Sequence, residues 1–153
     1  MPLESGAMIP FRGTAEIVGR LDLPAASSVL LVETPAELES MLIGAAAPGA
    51  FVRSSEAKHV RSIKETFDLM VLWQESRVGS RALFEAAVKR LAPEGRLWVV
   101  TAMRKVSGPR TPAIHRLEES DLAKAFAKDG LIRDRVARLS AWHEAFRFVR
   151  RKA

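Results

Sequence analysis

Cysteine is absent from the 153-residue chain, which excludes disulfide frameworks, thiolate metal sites and cysteine nucleophiles. No stretch approaches ~18 consecutive apolar residues, so no segment is predicted to span a membrane. The opening Met1-Pro2-Leu3-Glu4-Ser5-Gly6 has neither a basic n-region nor an apolar h-region, and no secretion signal is expected. These absences together point to a reducing cytoplasm. Internal repeats and low-complexity segments are missing. So are a Walker loop, a dinucleotide glycine fingerprint and a Gly-x-Ser-x-Gly elbow. What is present is an ordinary globular composition, 48% hydrophobic and 27% charged. A chain of this length buries roughly 70% of its unfolded surface on folding, enough for a core without staples. One domain over residues 1–153 is expected, with residues 1–12 flexible.

The formal charge is +6, and it is unevenly spread. Residues 1–66 hold six basic and eight acidic side chains, residues 67–153 eighteen and ten. The last 23 residues carry seven basic side chains against Asp134 and Glu144. A basic half of this kind suits an anionic ligand, nucleic acid or an acidic protein, or is simply a solvated surface.

Local patterns alternate between strands and helices. Thr14 to Leu21 reads as a leading helix before Pro24. Val29-Leu30-Leu31-Val32, Leu69-Met70-Val71-Leu72-Trp73 and Leu97-Trp98-Val99-Val100 are apolar runs of strand length, the mark of strands buried on both faces. Thr34-Pro35-Ala36-Glu37 reads as a capping box with proline at the first helical position, followed by Leu38, Met41, Leu42 and Ala45 at helical spacing. Phe51-Val52 is a candidate second strand, and residues 54–66 carry a weak helical pattern through Ala57, Val60 and Ile63. Ser80 is expected to cap a helix with Leu83, Phe84, Ala87, Val88 and Leu91 inward, stopped by Pro93 and Gly95. Ser120 is expected to open another, ended by Gly130. Strands near 131–139 and 145–151 then form an antiparallel hairpin. The expected fold class is α/β: a doubly wound, mostly parallel sheet of Rossmann-like type, ending in an antiparallel β-hairpin.

In this order the chain resembles a bacterial family of small proteins of unknown function with a reduced class I methyltransferase-like fold. The residues that carry the resemblance are Gly13-Thr14-Ala15, Val29 to Leu38, and Leu91-Ala92-Pro93-Glu94-Gly95-Arg96-Leu97-Trp98. They continue with Arg104-Lys105-Val106-Ser107-Gly108, Gly130-Leu131, Trp142 and Arg147-Phe148-Val149-Arg150-Arg151. The resemblance implies the fold and assigns no activity. An S-adenosylmethionine enzyme of this fold has a glycine-rich turn after its first strand. Here that turn is Glu33-Thr34-Pro35-Ala36-Glu37, with no glycine and one amide donor removed. Arg53 stands where an acidic residue would hold the ribose, with Glu56 three residues on. Gln74-Glu75-Ser76-Arg77 replaces the Asn/Asp-Pro-Pro-aromatic motif of many amino-methylating members. No cofactor and no catalytic residue are therefore assigned.

His59, His115 and His143 lie far apart without a second ligand at metal spacing, so no metal site is predicted and each is read as a surface or hydrogen-bonded histidine. Trp73, Trp98 and Trp142 are read as packing residues. The acidic Glu118, Glu119 and Asp121 suit a helix start. Ligands of open α/β sheets bind beyond the carboxyl ends of the strands. The Thr34 turn, the Gln74–Arg77 turn and the Arg104–Arg110 loop are expected to meet there. Arg104, Lys105 and Arg110, with the Ser107 hydroxyl and the Gly108 amide, form a candidate anion site. Arg147, Arg150, Arg151 and Lys152 form a candidate polyanion patch. The reading that results is a non-enzymatic binding or regulatory module. An active S-adenosylmethionine-dependent methyltransferase with a non-standard cofactor site, and a non-specific nucleic-acid-binding protein, stay open beside it.

Overall fold

Strands whose side chains are apolar on both sides need cover on both faces, and the chain supplies it. A computed structural model describes residues 9–103 and 116–151. Its elements are α1 (Thr14–Arg20), β1 (Ser28–Val32), α2 (Ala36–Ala45), β2 (Phe51–Ser55), β3 (Phe67–Trp73), α3 (Ser80–Lys89), β4 (Leu91–Ala102), α4 (Glu119–Ala127), β5 (Leu131–Arg138) and β6 (His143–Arg150). The six strands form one sheet in the order β2-β1-β3-β4-β6-β5. The first four are parallel, and β6 runs antiparallel to both β4 and β5. The three apolar runs are adjacent central strands, and the closing hairpin lies at one edge, as the patterns predict.

Alternate residues of each central strand enter different cores. Leu30, Val32, Met70, Leu72, Leu97 and Val99 pack with Leu83, Phe84 and Val88 of α3 and Leu122 and Phe126 of α4. Val29, Leu31, Leu69, Val71, Trp98 and Val100 pack on the other face with Ile17 and Leu21 of α1 and Leu38 and Leu42 of α2. Phe126 lies between Phe84 and Phe148, at ring-centroid distances of 4.9 and 4.7 Å. Such tilted pairs add to plain burial of area. Among the described residues no helix is long and apolar enough to cross a membrane.

Four local expectations are corrected. Helix α2 starts one residue late: Pro35 is its N-cap residue and no side chain caps it. The reason is Glu33, which takes a left-handed conformation (φ 56°) and points its carboxylate away, to accept a bond from the Ala57 amide at 2.8 Å. A capping box forms instead at α4, where Glu118 and Asp121 exchange bonds; that helix begins at Glu119 rather than Ser120. Gly79 (φ 75°), not Ser80, is the N-cap residue of α3, and the Ser80 hydroxyl donates to the Arg77 carbonyl at 2.8 Å. Strand β4 starts at Leu91, ahead of Pro93 and Gly95. Its register on β3 jumps from Phe67↔Leu91 to Leu69↔Arg96, so residues 92–95 form a bulge. A Cβ at Gly95 would lie 2.5 Å from Leu91 Cδ1 and 2.9 Å from the Ala92 carbonyl oxygen, so only glycine fits that bend.

Candidate functional site

The strand order reverses between β1 and β3, and the carboxyl ends of these strands are where an open α/β sheet receives a ligand. Three arrangements gather along this edge. The first is a cleft of about 310 Å³ lined by Glu33, Thr34, Glu39, Ser54, Ser55 and Glu56. Glu33 ties the ends of β1 and β2 together: its amide donates to Ser55 O at 3.1 Å while its carboxylate holds the Ala57 amide. The Thr34 hydroxyl is enclosed and has no hydrogen-bond partner among the described residues. Arg53, in contrast, does not sit at the end of β2. It pairs in register with Leu30 and its guanidinium bonds Glu65 at 3.0 Å. Glu56 is the acidic residue that follows the strand directly.

The second arrangement joins β3 to β6. The His143 ring is buried, with Nε2 2.8 Å from Glu75 Oε2 and Nδ1 3.0 Å from Ser140 Oγ. Trp73 Nε1 donates to the same Glu75 oxygen at 3.2 Å, and the Trp73 and His143 rings lie 4.4 Å apart. The Ser140 hydroxyl oxygen accepts the Trp142 amide at 3.0 Å. With Nε2 protonated, every group in this chain of bonds is satisfied: Nε2 donates to Glu75, and Ser140 donates to Nδ1. Ser140 is 1% exposed, so its hydroxyl serves the fold and is closed to a substrate. His143 is a hydrogen-bonded histidine, as read from the sequence. Its partner Glu75 lies 68 residues away and carries no sequence signal.

The third is a cleft of about 280 Å³ beside α4, among whose lining residues are Thr101, Glu118, Glu119, Glu144 and Phe146. Glu119 is paired with Arg133 at 2.7 Å, and Glu118 caps the helix. Among the described residues no group of three or more His, Asp or Glu side chains is arranged to hold a metal ion. His59 is exposed and lies 3.5 Å from Glu56; His115 is outside the described residues.

The candidate anion site Arg104, Lys105, Ser107, Gly108 and Arg110 also lies outside the described residues, as does Lys152. The other members of the basic patch sit at the opposite, amino edge of the parallel strands. Arg147 is 13% exposed and holds two carboxylates: Nε and Nη2 contact Asp134 at 2.8 and 2.7 Å, and Nη1 contacts Asp22 at 2.7 Å. This guanidinium holds the Asp134 carboxyl below the usual carboxylate range, against an opposing push from burial. Arg150 Nη2 donates to the carbonyls of Val88 (3.2 Å) and Leu91 (2.9 Å), and the exposed Arg151 donates its amide to Gly130 O at 2.8 Å.

This topology, with parallel strands, helices on both faces and an inserted antiparallel last strand, has relatives among solved structures. A SAM dependent methyltransferase from Aquifex aeolicus superposes with a TM-score of 0.70 at 14% identity, over 90% of this chain and 89% of that one. The fold is methyltransferase-like. Magnesium protoporphyrin IX methyltransferase from Synechocystis PCC 6803 with bound SAH matches with a TM-score of 0.63 at 13% identity, over 90% of this chain and 80% of that one. The pyocyanin biosynthetic protein PhzM matches with a TM-score of 0.64 at 14% identity and 90% coverage of this chain. This chain spans about half of PhzM, 54% of its length. No family model matches the chain, and no curated protein matches it in sequence. At these identities the similarity establishes the fold and leaves the activity to the residues.

Proposed function

We propose that the chain is a binding module of one domain on a methyltransferase-like fold, and that it works without S-adenosylmethionine. The observation that carries this reading is the β1–α2 turn. A cofactor that lies against the backbone of this turn needs residues without side chains and amides free to donate. The turn supplies the opposite. Glu33 carries a full side chain in a left-handed conformation, and that side chain crosses to the Ala57 amide. Pro35 takes the N-cap position and has no N–H to offer. The residues present therefore do not fit S-adenosylmethionine in the way the fold's enzymes hold it. The basic half argues for an acidic ligand. In this reading the candidate positions are Arg104, Lys105, Ser107, Gly108 and Arg110 in one segment, and Arg147, Arg150, Arg151 and Lys152 in the other.

One observation favours a second reading, an active methyltransferase with a non-standard cofactor site. Glu56 follows β2 directly and lines the same cleft as the enclosed Thr34 hydroxyl, unpartnered among the described residues. Mass spectrometry of the molecules that co-purify with the native chain separates the two. The binding-module reading expects an acidic ligand other than S-adenosylmethionine or its demethylated product. Either of those retained in stoichiometric amount overturns it.

A further inference from the structure

The geometry points to a phosphate site at the amino edge of the sheet, in a cleft of about 420 Å³ between the β4 bulge and the end of β6. The proposal rests on reading the chain as a binding module for an acidic ligand, and it names the site and the ligand class. The bulge at 92–95 opens the cleft, and the β4–β6 register, with Arg96 opposite Val149, places Arg96 beside the last residues of β6. Its lining includes Glu94, Arg96, Asp134, Arg147, Arg150 and Arg151.

The four guanidiniums differ in what already neutralises them. Arg147 is matched by Asp22 and Asp134, and its donors to them are used. Arg150 contacts only carbonyl oxygens, through Nη2, so its charge is uncompensated and Nε and Nη1 have no protein partner among the described residues. The Arg96 and Arg151 side chains have no carboxylate partner among the described residues either. Elsewhere Arg12 and Arg20 pair with Glu16, Arg53 with Glu65, Arg81 with Glu85, Arg133 with Glu119 and Arg135 with Asp22, while Arg61, Arg90 and Arg138 have no carboxylate partner among the described residues but do not share a cleft with one another. The β4–β6 pairing sets Arg96 on the face of Val149 and Arg147, whereas Arg150 turns to the other face, against the end of α3. Arg96 and Arg151 are therefore the uncompensated pair of the cleft, with Glu94 and the already paired Asp134 as its acidic groups among the described residues. Arg150 Nη2 is held by the Val88 carbonyl of α3 and the Leu91 carbonyl at the start of β4, so Arg150 contributes charge at the rim, and the forks open to a ligand are those of Arg96 and Arg151.

A guanidinium fork suits an oxyanion with several acceptor oxygens, and phosphate is the match. The volume is that of a small-molecule site. Among the described residues no aromatic side chain lines it, so none is placed to stack a nucleic-acid base. The ligand class is therefore a small phosphorylated molecule.

The test is isothermal titration of the full chain at low salt with inorganic phosphate, pyrophosphate and adenosine monophosphate, and with a single-stranded oligonucleotide of about 12 nucleotides. The Arg96→Gln/Arg151→Gln double variant is measured beside the parent, with Arg53→Gln as a control outside the cleft. Expected is saturable binding of pyrophosphate or the nucleotide, weaker by about ten-fold or more in the double variant and unchanged in the control. Nitrogen-detected spectra of the parent add a readout that needs no variant: pyrophosphate shifts the guanidinium signals of Arg96 and Arg151. If inorganic phosphate alone binds, with the same loss in the variant, the source is free phosphate and the site stands. No saturable binding up to about 10 mM overturns the proposal. So does equal affinity in the double variant, or binding confined to the oligonucleotide. S-adenosylmethionine carries no phosphate, so its titration into the same sample tests the binding-module reading independently of the cleft.

Discussion

Replacing Arg147 by methionine keeps most of the stem's volume and removes the guanidinium that ties β6 to β5 and to the turn after α1. Three charge-assisted bonds are lost, two to Asp134 and one to Asp22. Bonds of this kind are worth about 1.5–3 kcal/mol each when an enclosed partner is left behind. The full sum does not apply. The Asp134 side chain is 31% exposed and regains water, and Asp22 keeps Arg135 at 3.2 Å. A net loss of about 3 kcal/mol follows. For a chain of this size that corresponds to a fall in Tm of about 6–12 °C. Urea denaturation at pH 7, followed by circular dichroism, measures it, and the slope of the transition should not change. Acid gives an internal check. The Asp134 carboxyl is depressed in the folded chain, above all by its bond to Arg147, so its contribution is present above the unfolded value of about 3.9 and is lost as pH falls through the lower folded value. The gap between parent and variant should therefore narrow below about pH 4. A gap under about 1 kcal/mol at pH 7, or one that acid leaves unchanged, would refute the view of Arg147 as a structural anchor.

Two further outcomes are expected. Phe126→Ala empties the space between Phe84 and Phe148 in a fully buried position and should cost about 4 kcal/mol, read from the urea midpoint. For Asp68, burial pushes the carboxyl up, but bonds from the amides and hydroxyls of Ser27 and Ser28 outweigh it and hold the group below its ordinary value. Its contribution is thus present above about pH 4 and lost in acid, and Asp68→Asn should lower stability by about 1–2 kcal/mol at pH 7 and flatten the acid limb of the pH–stability curve.

The central strands were legible because burial on both faces leaves no polar residue in Leu30-Leu31-Val32 or Met70-Val71-Leu72, and few other structures need such runs. The closing hairpin was legible from its short turn. Boundaries were harder where side chains act outside their own helix. Thr34 and Glu37 have the spacing of a capping box, yet Glu33 turns the chain early and the box forms at Glu118 and Asp121, two carboxylates that match the pattern less well. Strand β4 was misread at its start because Pro93 and Gly95 suit a loop, and only the register against β3 makes them a bulge. Long-range pairs left no trace at all. Nothing near Glu75 announces His143, and nothing near Arg147 announces Asp22; sheet order alone brings them together. The same holds for the amino-edge cleft, where only the β4–β6 pairing sets Arg96 opposite Val149, on the face that carries Arg147.

The proposed function requires that the β1–α2 turn, with Glu33 laced to the Ala57 amide and Pro35 at the helix start, does not receive S-adenosylmethionine. Isothermal titration of S-adenosylmethionine into the full chain, up to about 1 mM, tests it most directly. No saturable heat is expected across that range. A micromolar dissociation constant, lost on Glu56→Ala, would overturn that reading and place a rebuilt cofactor site at the β1 and β2 ends.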